Sequence, residues 1–245
     1  MSRYFEWGYD EDPFVLFSLE HWLTITVFVF IAIGIALYRK PLRKGSRPVV
    51  FRFCLAGVLL LSEISYQSWQ IYYGQWNPSY SLPLHLSSVS LIFAIIMLLT
   101  RNERVFAFTY FVGIGSAIQA MLTPVIDGYS FPHFRYIHFY VAHGGVVIAC
   151  LYMLFVERFR PTLKLLWRSF LYLNVHTAFM YFINLWTGGN YMFIMRKPST
   201  ASVLDFLGPW PWYIIPLELI ALASFLILWF PVWVVESVSK KSLEP

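Results

Sequence analysis

Long apolar runs recur along this chain, separated by shorter polar gaps. Seven runs can be marked by number: 22–38, 51–73, 84–100, 105–124, 137–156, 166–186 and 212–235. A helix needs about 20 residues to cross a hydrocarbon core of about 30 Å. The runs are too long and too uniformly apolar for the strands of a membrane barrel. The pattern predicts an all-α polytopic membrane protein with seven transmembrane helices.

The composition supports a membrane protein with a single domain. The chain is 58% apolar and 13% charged, whereas a soluble domain carries about 25% charged residues. The longest polar gap, 187–211, is too short for a second domain. Residues 1–245 are therefore predicted to form one transmembrane domain.

The cationic residues are distributed unevenly between the gaps. Four of the 18 Lys and Arg residues fall on one side of the predicted membrane: Arg3, Arg135, Arg196 and Lys197. The other side holds Arg39, Lys40, Arg43, Lys44, Arg47, Arg52, Arg101, Arg104, Arg158, Arg160, Lys164, Arg168, Lys240 and Lys241. Short loops rich in Lys and Arg mark the cytoplasmic face, which predicts an outside N-terminus and a cytoplasmic C-terminus. These loops also explain the net charge of +5 without a nucleic-acid partner.

Polar side chains inside the runs are the candidates for chemistry, because an ionisable residue near mid-bilayer costs about 2.5–3.5 kcal/mol on insertion scales. The predicted orientation places five of them in the outer half of the membrane: His85, Gln119, His143, Asn184 and Glu218. Glu63 lies nearer the middle of the second run. Their shared depth predicts a polar cavity open to the outer side. The alternative is a set of separate interhelical hydrogen bonds, each worth about 0.6 kcal/mol.

The residue types in this predicted cavity favour acyl transfer. His85 and Ser88 are three residues apart and share a helix face. A histidine that activates a serine, itself oriented by a carboxylate such as Glu63 or Glu218, is an arrangement for acyl chemistry. His143 is the second candidate base, and the two glycines that follow it predict free space beside its ring.

Two further kinds of site follow from the charged and metal-binding residue types. Arg196 and Lys197 lie in the longest outer loop, where they either bind an anionic lipid headgroup or are simply solvated. A zinc site from His85, His138 and His143 lacks any His-x-x-x-His or Cys-x-x-Cys spacing. We therefore predict no metal and no cofactor.

Four segments together resemble the YwaF-type family of bacterial integral membrane proteins. They are LPLHL at 82–86, FPHFR at 131–135 leading to AHG at 142–144, MRKP at 195–198, and LGPWPWY at 207–213. The likeness covers nearly the whole chain. It implies a multi-pass protein of the bacterial plasma membrane.

More remotely, the pattern is similar to eukaryotic transmembrane acyltransferases that remodel ether phospholipids. In those proteins a Cys-His pair on a middle span and a second His on a later span carry acyl transfer, which implies roles for His85 and His143. Leu84 occupies the position of the nucleophile. Either Ser87 or Ser88 replaces the thiol, a histidine acts directly on a lipid hydroxyl, or the chain does not catalyse this reaction.

Three hypotheses for function follow. The first is an acyltransferase or hydrolase that acts on membrane lipids, with His143 and His85 as catalytic groups and Ser88 as nucleophile. The second is a non-catalytic module that binds or senses lipids in the same cavity. The third is a small-solute transporter, although no internal repeat supports it. Membrane lipids are the expected partners, and the pattern gives no oligomeric state.

Overall fold

The computed structural model describes residues 3–8, 13–126, 128–198 and 203–241. Helices make up every long element in these ranges, so the predicted helical architecture is confirmed. The helices are α1 (Leu19–Leu37), α2 (Arg39–Leu42), α3 (Arg47–Tyr72), α4 (Leu86–Thr100), α5 (Glu103–Phe108), α6 (Ile114–Leu122), α7 (Phe134–Phe155), α8 (Leu163–Thr187) and α9 (Ile214–Lys241). A π-helical turn, Thr109–Gly113, joins α5 to α6.

Five of these helical segments are long and apolar enough to cross a membrane. They are Leu19–Leu37, Arg47–Tyr72, the continuous segment Glu103–Leu122, Phe134–Phe155 and Ile214–Val238. The helix α4 is shorter, at 15 residues, and α8 is not among the five. The chain is thus a multi-pass membrane protein by length and composition, whereas seven spans and their orientation stay predictions.

Local sequence signals set several helix ends. Asn102 begins α5, and its side-chain oxygen accepts hydrogen bonds from the backbone N–H groups of Arg104 and Val105. His133 begins α7 in the same way, with Nδ1 accepting from the N–H of Arg135. Polar side chains at this position satisfy N–H groups that have no partner inside the helix. Polar residues beside apolar runs therefore fix the first turns of α5 and α7.

The helix α7 lies at the centre of the bundle and packs on α1, α3, α4 and α6. Two glycines allow the close approach. A Cβ added to Gly144 would lie 2.1 Å from the ring of Phe28 in α1, and one added to Gly145 would lie 2.6 Å from Leu59 in α3. Small residues let membrane helices pack closely. The prediction that these glycines leave free space is therefore wrong, because Phe28 and Leu59 fill it.

An unbroken antiparallel register joins α3 and α7. Leu59 lies against Gly145. Seven residues further along α3, Tyr66 stacks on His138, which is seven residues back along α7, with ring centroids 4.4 Å apart. Ser62 lies between these two contacts on α3. The register therefore places Ser62 about one helical turn below the stacked rings.

The helix α4 is also antiparallel to α3, and its register fixes the depth of His85. Near one end, Arg52 donates a hydrogen bond from Nη1 to the carbonyl of Leu98 at 2.6 Å. Near the other end, Gln67 donates to the carbonyl of Ser81 at 3.0 Å. Between these contacts, His85 begins α4. It lies at about the depth where α3 and α7 stack their rings.

Charged groups fasten the end of the bundle predicted to be cytoplasmic, here called the inner end. Glu157 pairs through Oε1 with Nε of Arg52 at 3.1 Å and through Oε2 with Nη2 of Arg101 at 2.8 Å. The Arg52 and Glu157 side chains are 8% and 7% exposed. Arg43 donates from Nε to the carbonyl of Val156 at 3.0 Å. These contacts tie the inner ends of α3, α4 and α7 together.

Candidate functional site

The half of α7 that is remote from the inner end, here called the outer half, carries one arginine and two histidines. These are Arg135, His138 and His143. Arg135 and His138 both contact the ring of Tyr66, and Arg135 and His143 both contact the ring of Phe139. We refer to them as the α7 triad, and the sequence pattern alone singled out only His143 as a catalytic candidate.

His138 is buried, with 9% of its surface exposed, and its ring stacks on Tyr66. Neither Nδ1 nor Nε2 has a hydrogen-bond partner among the described residues. A buried polar atom without a partner costs about 1–3 kcal/mol. Such atoms in native proteins mark a functional role or an unseen water or ligand.

His143 is partly buried, and one of its ring nitrogens is fixed. Nδ1 lies 2.7 Å from the carbonyl oxygen of Phe139, one turn earlier in α7. Because a carbonyl only accepts, Nδ1 carries the hydrogen. In the neutral ring this leaves Nε2 as an acceptor, which is the state that a general base requires.

Arg135 brings a positive charge to the outer end of this group. Its guanidinium lies over the rings of Tyr66 and Phe139, 4.9 and 5.6 Å from their centroids. Nη2 also reaches the carbonyl of Val125 at 3.5 Å. Within the described ranges, no carboxylate lies within ion-pair distance of Arg135. The charge is thus left for an anionic ligand or for solvent.

Two serines add unpartnered hydroxyl groups to the interior of the bundle. Ser62 on α3 is 8% exposed and Ser90 on α4 is 1% exposed. The Oγ atom of each lacks a hydrogen-bond partner in the part of the chain that the structure describes. Ser90 lies at the contact with the π turn, because a Cβ on Gly113 would meet Ser90 at 3.4 Å and Val146 at 2.9 Å.

His85 lies against the outer loop that follows α8. Its ring centroid is 5.0 Å from that of Tyr191 and 5.7 Å from that of Phe193. Asn184 holds Tyr191 by two hydrogen bonds, from Nδ2 to the Tyr191 carbonyl at 3.0 Å and from the Tyr191 N–H to Oδ1 at 2.7 Å. The Tyr191 hydroxyl in turn donates to the carbonyl of Pro78 at 2.7 Å. Asn184 therefore supports the wall against which His85 packs.

The ring contacts of His85 and His143 are with different partners, and the remaining polar candidates have separate neighbours. Glu63 accepts a hydrogen bond from Gln67 on its own helix at 2.9 Å. Glu218 accepts one from Asn174 across the α8–α9 contact at 3.1 Å. Among the described residues, no hydrogen bond or ring contact links these two carboxylates to His85 or His143. Ser88 is partly buried beside the start of α4, and Gln119 is exposed on α6.

The two outer cations occupy a folded loop. Asn190 binds the backbone of Arg196, donating from Nδ2 to its carbonyl at 2.8 Å and accepting from its N–H at 3.2 Å. Arg196 is exposed, and Lys197 lies with Nζ 6.0 Å from the centre of the Tyr213 ring. Hydrogen bonds to Asn190 hold this loop, so the positions of both cations are defined.

Comparison with known protein families shows to which family the chain belongs. A family model described as the TMEM164 family matches residues 16–229. This chain belongs to the TMEM164 family. The match shows a transmembrane family, and leaves the resemblance to the bacterial YwaF-type family and to the ether-lipid acyltransferases as predictions. No curated protein and no solved structure matches the chain.

The TMEM164 match covers all of the candidate site residues, from Glu63 to Glu218. It does not cover residues 3–8, which lie over the outer ends of α3 and α7. There the Nε1–H of Trp69 donates to the carbonyl of Phe5 at 2.8 Å. His133 bonds the carbonyl of Glu6 through Nε2 at 3.0 Å. The segment that packs on the outer ends of α3 and α7 thus lies outside the matched region.

Sequence reasoning missed Arg135, His138, Ser62 and Ser90 as site residues. Arg135 counted only as a loop cation, although it is the second residue of α7. His133, His138 and His143 are spaced by five residues, which is neither a helical face nor a metal-binding spacing. The signal that identifies His138 is structural, because it is the absence of a partner for a buried ring.

Proposed function

We propose that this TMEM164-family chain is an integral membrane enzyme that transfers or hydrolyses acyl chains of lipids near the outer surface. The observation that carries the proposal is the α7 triad. It combines a guanidinium that pairs with no carboxylate among the described residues, a buried histidine whose two ring nitrogens lack hydrogen-bond partners in those residues, and a histidine whose Nδ1 is fixed as a donor. An anion site next to an oriented base is what a phospholipid ester needs.

The proposal includes seven spans with an outside N-terminus. It therefore counts α4 and α8 as crossings in addition to the five longer apolar segments. Fourteen of the 18 Lys and Arg residues then fall on the cytoplasmic side, as expected for short loops. The α7 triad then faces the outer leaflet, and the Glu157 ion pairs face the cytoplasm.

In the proposed reaction, His143 is the general base. A lipid hydroxyl or a water attacks the carbonyl carbon of the acyl ester, and its proton passes to Nε2 of His143. The bond from that carbon to the alcohol oxygen breaks, and the leaving oxygen takes the proton back. A positioned base of this kind contributes about 10²–10⁴-fold to a rate.

The other residues have supporting roles in this proposal. Arg135 holds the lipid phosphate, and its charge is reinforced from the loop by Arg196 and Lys197. His138 donates a hydrogen bond to the carbonyl oxygen as negative charge develops on it. His85 orients the acyl donor beside Tyr191.

Because Leu84 cannot serve as a nucleophile, the proposal assigns direct attack of the lipid hydroxyl or water on the ester. Leu84 packs against the buried cluster around Tyr191 and Ile194, and its apolar side chain forms no acyl intermediate. Ser88 is the alternative nucleophile, and an acyl group trapped on it would replace direct attack in the scheme.

The test uses the purified full chain in vesicles of phosphatidylglycerol and phosphatidylethanolamine. A lysophospholipid acceptor is added, in parallel with donors of the diacyl and the 1-alkyl-2-acyl type. Products are identified by mass spectrometry. We expect acyl transfer or release by the wild type and a loss of about 10²–10⁴-fold for His143→Gln. Cys54→Ser, at an exposed position of α3, is the matched control and keeps full activity.

One result separates the enzyme from the lipid-binding alternative. If every lipid, including any that co-purifies, is recovered intact after long incubation, the enzyme proposal is wrong and the chain binds lipid without turnover. If the wild type is active but His143→Gln retains its rate while folded, the assignment of the base is wrong.

A further inference from the structure

A second hollow lies away from the α7 triad, between α4, α5 and α8. It has a volume of about 270 Å³. Its apolar walls come from Val89 and Phe93 of α4 and from Val105 and Phe108 of α5, with Tyr172 of α8 beside them. Tyr172 is 51% exposed, so the hollow is a groove on the flank of the bundle and not an enclosed cavity. We call it the α5–α8 groove.

A cation stands at the inner end of this groove. Arg104 lines it and is the second residue of α5, next to the inner end of α4. Its side chain is exposed, and among the described residues no carboxylate lies within ion-pair distance of it. Arg101, three residues earlier, differs because it is paired with Glu157. The groove therefore combines apolar walls with a positive charge that no carboxylate of the described residues pairs.

One polar group interrupts the apolar walls. His176 of α8 lines the groove, and its Nε2 is buried without a hydrogen-bond partner in the described part of the chain. Leaving such an atom unpaired is unfavourable. An occupant made only of hydrocarbon would leave this nitrogen unsatisfied, whereas one with a hydrogen-bonding group below its charged head would satisfy it.

We propose that the α5–α8 groove binds one acyl-ester arm of an anionic glycerophospholipid from the leaflet at the inner end. The phosphate lies at Arg104, the ester carbonyl accepts a hydrogen bond from Nε2–H of His176, and the chain lies along Phe93 and Phe108. The volume of 270 Å³ is below the range of about 300–1,000 Å³ for small-molecule pockets. It therefore suits one chain better than a whole lipid. The groove is independent of the proposed catalytic function.

The test measures binding to the purified, delipidated full chain in a neutral detergent, by native mass spectrometry. The probes are dimyristoylphosphatidylglycerol, dimyristoylglycerol and inorganic phosphate, titrated separately. We expect saturable binding of the phosphatidylglycerol and much weaker binding of the other two. Arg104→Gln should lower the affinity about 10-fold or more, since a hydrogen bond to a charged group is worth about 1.5–3 kcal/mol.

Matched variants separate the groove from a general charge effect. Arg168→Gln removes an exposed cation of α8 that does not line the groove, and it should leave the affinity for phosphatidylglycerol unchanged. His176→Phe removes the polar atom and should weaken binding, and Val89→Phe should do the same by filling the groove. Thermal unfolding of each variant checks that it is folded. Because His176→Phe and Val89→Phe lie on different helices, the test still stands if one of these two variants does not fold.

Three results would overturn the proposal. Equal affinity for phosphatidylglycerol and dimyristoylglycerol would show that the phosphate is not recognised. Equal losses with Arg104→Gln and Arg168→Gln would show a diffuse charge effect. Binding of inorganic phosphate as tight as that of the lipid would show a site for a free anion.

Discussion

The two ends of this bundle treat buried polar groups in opposite ways. At the inner end, the carboxylate of Glu157 forms ion pairs through both oxygens, to Arg52 and Arg101, although the contact of Arg52 Nε with Glu157 Oε1 does not have the angles of a hydrogen bond. In the outer half, His138 and Ser62 are buried with polar atoms that have no partner within the described residues. Native proteins leave few such atoms unsatisfied. The inner end is thus built to hold helices together, and the outer half retains capacity to bind.

The unpartnered groups also share an apolar frame. Gly144 and Gly145 bring α1 and α3 close to α7, so the helix that carries the triad is packed along its length. A binding or catalytic site requires side chains that their neighbours hold rigidly in place. In the proposed function, stability and catalysis are supplied by different residues on the same helix, which allows the two to be separated by mutation.

The largest effect is expected at the inner end, from Glu157→Gln. The change leaves the guanidinium of Arg52, 7% exposed as a residue, without a carboxylate. Removing one partner of a buried pair costs about 3–5 kcal/mol. The measurement is the unfolding midpoint of the purified protein in detergent. Glu236→Gln is the control, because its bridge to Arg160 is largely exposed and such pairs are worth about 0–1 kcal/mol. Similar midpoints for the two variants would show that the inner end is not the fastening point.

The sequence predicted the helices well, because a long apolar run in a membrane protein has few alternatives to a helix. It also placed His85 at the start of α4 and His143 within α7. Depth along a helix follows from residue number at about 1.5 Å per residue. The shared depth of the candidate residues in the membrane stays a prediction, because it rests on the predicted orientation.

The direction in which each side chain faces could not be predicted in the same way. Apolar residues surround these helices on all sides, so periodicity does not show which face meets which neighbour. Glu218 meets Asn174 of α8, and Phe28 fills the space predicted beside His143. The pairing of Glu157 was also missed, because it lies just beyond the end of α7 and looks like an ordinary loop residue.

A second prediction uses the outer half, where we expect function and stability to respond differently. His138→Phe keeps a ring to stack on Tyr66 but removes both unpartnered nitrogens. Replacing a buried unsatisfied group by an apolar one of similar shape is nearly neutral or stabilising. We expect an unfolding midpoint equal to or above that of the wild type, together with loss of acyl transfer. A clear fall in the midpoint would show that His138 has a structural partner, and the contrast between the two ends would fail.

The smallest effect is expected where residues 3–8 pack on the outer ends of α3 and α7. His133 bonds the carbonyl of Glu6 through Nε2 at 3.0 Å and accepts the N–H of Arg135 through Nδ1 at 3.1 Å. A neutral ring satisfies both contacts, whereas a protonated ring turns Nδ1 into a donor against the N–H group. Burial lowers the pKa of His133, and the charge of Arg135 acts in the same direction while the bond to Glu6 opposes it.

The direction of this pKa shift determines how stability depends on pH. With its pKa lowered on folding, His133 binds fewer protons in the folded chain than in the unfolded chain. Its contribution to stability is complete above the unfolded pKa of about 6.5 and is lost as the pH falls from that value through the lower pKa of the folded chain. We expect hydrogen exchange in residues 3–8 to speed up between pH 7.5 and 5. His133→Asn keeps a capping oxygen for α7 but cannot titrate, so its exchange should lose this pH dependence after correction for intrinsic rates. The same acceleration in both proteins would mean that residues 3–8 respond to another group. The segment would then open at low pH through the carboxylates of the outer face instead of through the residue that holds the start of α7.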